Sequence, residues 1–267
     1  MNEILTIIAE FQSLQLDKVI DFAKFNQYAI VHHSSAIEGS TLTENETRLL
    51  LDEGVTPKGK PLTHSLMIKD HFEALLFTLD EAGKKPPVTV SLIQRINEKV
   101  MKNTGAIYNT PLGQVDASKG EFRKGNVSAG GSYFVNFDKV GPLTAKLVQK
   151  LNSNISNAKS VTEKLEISFA AHFDLVTIHP FYDGNGRTSR LLMNFIQHYF
   201  DLPFAIVYKE DKADYFTALQ QTRKQENISI FYGFMYEQYK KFLLTEIAAY
   251  KSSADPKGKG FSLFFSF

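Results

Sequence analysis

His179, Asp183, Arg187 and Arg190 fall within a dozen residues of one another, in the run Ile178-His179-Pro180-Phe181-Tyr182-Asp183-Gly184-Asn185-Gly186-Arg187-Thr188-Ser189-Arg190. A base, a carboxylate and two guanidinium groups around a glycine-rich turn outline a phosphate site. An imidazole with an ordinary pKa of about 6.5 takes up a proton near neutrality. Carboxylate oxygens suit Mg²⁺, an ion usually held by one or two carboxylates together with the phosphates themselves. Guanidinium groups add forked, charge-assisted donors.

These groups need elements to position them. Leu165, Ile167, Phe169, Phe173, Val176 and Ile178 recur at near-helical spacing, and the helix stops at His179 because the residue before a proline is pushed out of the right-handed α region. After the turn, Arg187, Arg190 and Asn194 share one face of a second helix. Leu191, Leu192, Phe195, Ile196 and Tyr199 cover the other, so both arginines are expected to point away from the core. Gly184 and Gly186 permit positive φ and close approach, and Asn185 is the next residue most at ease in the left-handed region. A helix N-terminus following such a turn is an anion cradle, through its unpaired N–H groups and the positive end of its dipole. Taken one at a time, the same residues also suit a plain helix-to-helix connector.

The run resembles the signature of Fic-domain proteins, His-x-Phe-x-(Asp/Glu)-Gly-Asn-Gly-Arg-x-x-Arg, and matches it at every fixed position. The resemblance implies an all-α Fic fold, a helical bundle with a small β-hairpin flap, and transfer of AMP from ATP to a Ser, Thr or Tyr hydroxyl of a target protein. It makes His179 the general base and Asp183 the Mg²⁺ ligand. The nucleotide site becomes Asp183, Gly184, Asn185, Gly186, Arg187, Thr188, Ser189 and Arg190, with the two arginines on the outer phosphates. Tyr215 and Phe216 fall where relatives place residues against the adenine, and Arg223 stands where some relatives have asparagine.

Ser34-Ser35-Ala36-Ile37-Glu38-Gly39 is similar to the inhibitory motif (Ser/Thr)-x-x-x-Glu-(Gly/Asn) that one Fic subgroup carries N-terminal to its core. By that likeness Ser34 and Glu38 are inhibitory residues, and Glu38 pairs with Arg190 and withholds it from ATP. Read alone, Glu38 is equally a last-turn residue of a surface helix. Val127, Ser128, Ala129, Gly130 and Gly131 begin the β signal, a hairpin over about 121–137 that falls where Fic proteins carry the target-docking flap.

The chain has 267 residues, 43% of them hydrophobic, no cysteine and a formal net charge of +1. Such a balance gives no surface built mainly for nucleic acid, and the absence of cysteine excludes disulfides and thiolate metal sites. The start has neither a basic nor an apolar leader region, and no stretch suits a membrane, so a cytoplasmic protein is expected. Self-modification and a homo-oligomer are compatible with all of this.

The expected organisation is an N-terminal helical extension over 1–25, a Fic domain over 26–250 and a tail over 251–267. Helices are expected over about 16–38, from Thr43 through Leu51, and over 63–81, 89–103, 141–157, 212–224 and 228–250. Gly54 to Pro61 narrowly misses the P-loop pattern, because Pro61 replaces the Mg²⁺-binding hydroxyl and a helix precedes it. It reads as a solvated loop. His172 reads as a packed histidine. The Phe-rich end, 261–267, suits packing on the domain, a sheet edge or a partner. Alternatives within the family are transfer of another phosphate-containing group, such as UMP or phosphocholine, or removal of AMP. From another class, the alternative is a nucleotide-occupied interaction module.

Overall fold

The structure is a computed structural model that describes residues 2–16, 22–129 and 131–253. Among these lie ten α-helices: α1 (Asn2–Ser13), α2 (Phe22–Ile37), α3 (Glu44–Glu53), α4 (Leu62–Gly83), α5 (Val90–Val100), α6 (Val140–Asn157), α7 (Val161–Ile178), α8 (Asn185–Tyr199), α9 (Lys212–Gln225) and α10 (Ile228–Ser253). Four short strands form two antiparallel pairs: β1 (Ile107–Thr110) with β2 (Gly113–Asp116), and β3 (Ser128–Ala129) with β4 (Ser132–Tyr133). None of the described helices is long and apolar enough to cross a membrane. Gly130, part of the expected second helix (17–21) and the Phe-rich end lie outside the described residues.

Local chemistry sets the helix starts. Thr43 with Glu46, and Ser160 with Glu163, form reciprocal capping boxes that satisfy the first free N–H groups of α3 and α7. Thr89 caps α5 through Leu92 N–H. That helix ends at Val100 rather than near 103, because Asp70 takes both the backbone N–H and the side-chain amide of Asn103 and holds it off the helical path. The Gly54–Pro61 stretch is a loop, as its proline implies.

Helix α8 runs through the middle of the bundle, packed on α7, α4 and α5. Every residue from Arg187 to Gln197 is buried. The expectation of two outward arginines is therefore overturned: Arg187, Arg190 and Asn194 are 2%, 3% and 1% exposed. Their polar stripe faces polar partners instead of water. Asn194 donates to the Ala205 carbonyl, and Arg190 reaches α2.

The β content also differs from expectation. Among the described residues there are two hairpins, and the β1–β2 pair was not foreseen. The second pair is shorter than the 127–137 pattern suggests, because side chains take over its backbone groups. Arg123 donates to the Gly125 and Val135 carbonyls, and Phe137 N–H goes to the Asn126 side chain.

Candidate active site

His179 ends α7. Its N–H bonds the Leu175 carbonyl at 3.0 Å, and Pro180 forces it out of the helical path into the left-handed region, φ 53° and ψ 60°. A non-glycine residue there is uncommon and strained, and persists where its surroundings hold it. They do so here: Arg123 donates from its backbone N–H to the Pro180 carbonyl and from Nε to the His179 carbonyl at 2.8 Å. The imidazole stacks on Phe134 of the flap, centroids 3.8 Å apart and planes within 15°. Its Nδ1 lies 3.4 Å from the Val176 carbonyl, which assigns the N–H to Nδ1 and the basic lone pair to Nε2. Burial lowers its pKa to about 4, with Arg123 and Arg223 acting the same way against the Val176 carbonyl and Glu38. At neutral pH the ring is uncharged, the form a base needs.

The turn after it is pinned from two sides. Gly184 takes φ 76° as the N-cap of α8, and a Cβ there would stand 2.8 Å from both Asn97 Nδ2 and Met101 Sδ. Asn185 is not left-handed, as its residue type alone suggested. It is the first helical residue, and its amide bridges Phe181, accepting from N and donating to O at 2.9 Å each. Gly186 is helical too, and its missing side chain serves close approach: a Cβ would lie 2.2 Å from Glu38 Oε1. The N–H groups of this first turn have no intrahelical acceptors and form an anion cradle. Asn97, which sequence reasoning passed over, donates to the Asp183 carbonyl and to Thr188 Oγ1, both at 3.1 Å. The Thr188 and Ser189 hydroxyls serve the scaffold, Ser189 donating to the Asn185 carbonyl at 2.7 Å.

The guanidinium of Arg190 is enclosed. Nε donates to Ser34 Oγ at 2.7 Å, and Nη2 to Glu38 Oε1 at 2.6 Å and to the Ser34 carbonyl at 3.0 Å. Nη1 reaches Tyr215 Oη at 3.4 Å. Burial alone would raise the Glu38 pKa, but Arg190 and Arg187 outweigh it and hold the carboxyl below its usual range. Arg187 is less well served. Nη1 is 3.3 Å from the Val100 carbonyl, Nη2 faces Met101 Sδ, and Nε has no partner.

Asp183 is exposed at the rim, one oxygen held by Gly184 N–H. Its remaining lone pairs suit Mg²⁺. Among the described residues no group of three or more His, Asp or Glu side chains could hold a metal, so such an ion would draw its other ligands from phosphates and water.

A cavity of about 390 Å³ brings His179 together with Glu38 and Gly186, and is lined also by Phe134, Phe216 and Arg223; Asp183, Arg187 and Arg190 are not part of its lining. Tyr215 backs it, buried, with its hydroxyl 2.9 Å from His172 Nε2, so His172 is indeed a packed group. Phe216 is half exposed at its edge. Arg223 lies over the Phe134 ring, 5.9 Å from its centroid. The expected flap residues Val127 and Ser128 precede this ring, Ala129 continues β3, and Gly131 turns with φ 75°. A larger hollow near Phe11 and Leu202 shares no residue with this one.

A base at a helix exit thus stands one short loop from a helix N-terminus inside a helical bundle. Residues 87–197 match the Fic/DOC family. The chain is 35% identical over 191 residues to the protein adenylyltransferase Fic of Drosophila grimshawi, and 33% identical over 214 residues to that of Nematostella vectensis. These alignments take in 71% and 78% of this chain but 37% and 45% of those relatives, so the chain spans less than half of their length. A Fic-domain-containing signalling protein from Bacteroides thetaiotaomicron superposes with a TM-score of 0.80 at 26% identity, covering 93% of this chain and 97% of that one. Fic-1 (residues 134–508) of C. elegans shares the fold, with a TM-score of 0.76 at 24% identity over 95% of this chain and 72% of its own. Residues 87–197 of this chain are thus a Fic/DOC-family domain.

Proposed function

We propose that this chain is a protein adenylyltransferase that moves AMP from ATP to a Ser, Thr or Tyr hydroxyl of a target protein, and that Glu38 restrains it. One observation carries the reading: a half-buried imidazole at His179, kept neutral by its surroundings, shares a cavity with Gly186 in the first turn of α8. The name borne by the curated relatives, protein adenylyltransferase Fic, supports it.

In this reading the target hydroxyl oxygen attacks the α-phosphorus. The bond to the bridging oxygen breaks, pyrophosphate leaves, and the hydroxyl proton passes to His179 Nε2. The first-turn N–H groups of α8 stabilise charge on the phosphate oxygens, and Arg187 and Arg190 hold the outer phosphates. Asp183 would hold Mg²⁺, which when bound neutralises charge on those oxygens. Tyr215 and Phe216 form the base end of the cavity, and Val127 to Gly131 dock the target segment by main-chain pairing. Glu38 competes for Arg190 without any loss of translational freedom, so the pair suppresses productive ATP binding.

The test uses ATP labelled on the α- or the γ-phosphate, with the protein, its Glu38→Gly variant and Glu38→Gly with His179→Ala, each with cytosolic protein as target. Label from the α position alone, rising in Glu38→Gly and lost with His179→Ala, supports the transfer. Label from γ identifies a kinase instead, and none in any variant sinks the proposal.

A further inference from the structure

Arg123 is 2% exposed, and no carboxylate lies within ion-pair distance of it among the described residues. A buried cation without a counter-ion is costly, so its retention calls for a geometric reason. Its guanidinium donates to three carbonyls on three stretches of chain: Nε to His179, Nη1 to Gly125 at the start of the flap, and Nη2 to Val135 at its end. Its own backbone N–H holds the Pro180 carbonyl at 3.0 Å. Between the two flap anchors stands Phe134, stacked on the His179 ring. The left-handed backbone of His179 and the plane of its imidazole are thus both referred to the flap, one through Arg123 and the other through Phe134.

We infer that Arg123 is a positioning residue that fastens the flap to the backbone of His179, so that flap and imidazole form one body. A planar fork can serve three carbonyls at fixed angles, whereas a lysine ammonium cannot. In the bound flap Phe134 keeps water from His179. Releasing the clamp rehydrates the ring and moves its titration up toward the ordinary histidine value. The charged groups facing that ring are Arg123 from the base of the flap, Glu38 from the end of α2 and Arg223 from α9, with the Val176 carbonyl on α7. Removing Arg123 also removes one of the two cations that depress it, so both effects run in the same direction.

The inference rests on the proposed transfer only for its kinetic arm. The deciding measurement is the NMR titration of the His179 ring, assigned by His179→Ala, in the unmodified protein, Arg123→Lys and Arg123→Met, with no nucleotide present. We expect the titration to rise by about one unit or more in both variants, more in Arg123→Met. In the Glu38→Gly background, kcat should fall about tenfold or more with the KM for ATP within about twofold. A folded Arg123→Met whose His179 titrates as in the unmodified protein overturns the inference, whatever its melting temperature. The unmodified protein gives a second arm that needs no variant: amide exchange at Arg123, Phe134 and Phe137. A shared opening free energy supports one body. Much faster exchange at Phe134 and Phe137 than at Arg123 means that the flap opens alone, and overturns it.

Discussion

Glu38 Oε1 and Arg190 Nη2 lie 2.6 Å apart although 152 residues separate them in the chain. The contact joins the end of α2 to the first turns of α8, and Gly186 leaves room for it. The Glu38 side chain is 29% exposed while Arg190 is 4% exposed, so the pair sits at the boundary between cavity and core. A carboxylate placed there, beside the first turn of α8, occupies the same guanidinium that an anionic ligand would meet.

Ser34 is the second anchor of this arrangement. Ser34→Ala removes the acceptor of Arg190 Nε and leaves a buried charged donor unsatisfied, which costs about 1–3 kcal/mol. The expected outcome is a lower melting temperature together with higher α-phosphate labelling than the unmodified protein, and less than Glu38→Gly gives. Labelling unchanged in a destabilised Ser34→Ala would separate the stability role of Ser34 from restraint.

Gly184 carries two constraints, a left-handed backbone and the approach of Asn97 and Met101. Gly184→Ala adds roughly 1 kcal/mol of backbone strain, and more where the two side chains fail to give way. Thermal unfolding should fall by several degrees, and ATP binding by Glu38→Gly should weaken when this change is added. Retention of both would mean that the turn is looser than its geometry implies.

What could be read from the sequence follows the range of the interactions. The exit at His179 and the turn at Gly184 were legible because Pro180 and the glycines act on their own backbones. The direction of Arg187 and Arg190 was not, since a polar stripe at helical spacing looks the same whether it faces water or, as here, the ends of α5 and α2. Arg123 and Asn97 left no local signal: their partners lie 56 and 86 residues away, and each sits in a stretch where its residue type is ordinary. The β1–β2 hairpin lacks the apolar alternation that marks a half-buried strand. It is tied to the signature loop by a ring stack of Tyr108 on Tyr182, centroids 4.3 Å apart.

Asn97 holds the loop from behind, through the Asp183 carbonyl and Thr188 Oγ1. Asn97→Leu keeps the volume and removes both donors. The expected result is a loss of about 1–2 kcal/mol of stability, with α-phosphate transfer by Glu38→Gly falling about tenfold as the carboxylate of Asp183 and the first turn of α8 lose their register. Transfer that falls only in proportion to the folded fraction would reduce Asn97 to a packing residue.

Stability against pH is set by buried groups of two kinds. Burial lowers the pKa of His32 to about 3 and that of His33 to about 4, while in the unfolded chain each titrates near 6.5. Their contribution is complete above pH 6.5 and is lost as pH falls from 6.5 to about 4 for His33 and to about 3 for His32, because only the unfolded state takes up protons in that window. Glu246 runs the other way. Burial raises its pKa to about 7 from 4.5, so the unfolded state releases its proton first and stability is lost as pH climbs from 4.5 to 7. Glu246→Gln removes that penalty, a gain of about 3 kcal/mol at pH 8 that shrinks to a few tenths near pH 4.5. Thermal unfolding of both proteins at pH 8 and pH 5 measures it: the variant should melt several degrees higher at pH 8 and nearly level with the parent at pH 5. Equal gains at both values would show that Glu246 stays protonated at pH 8 or finds a partner when it ionises.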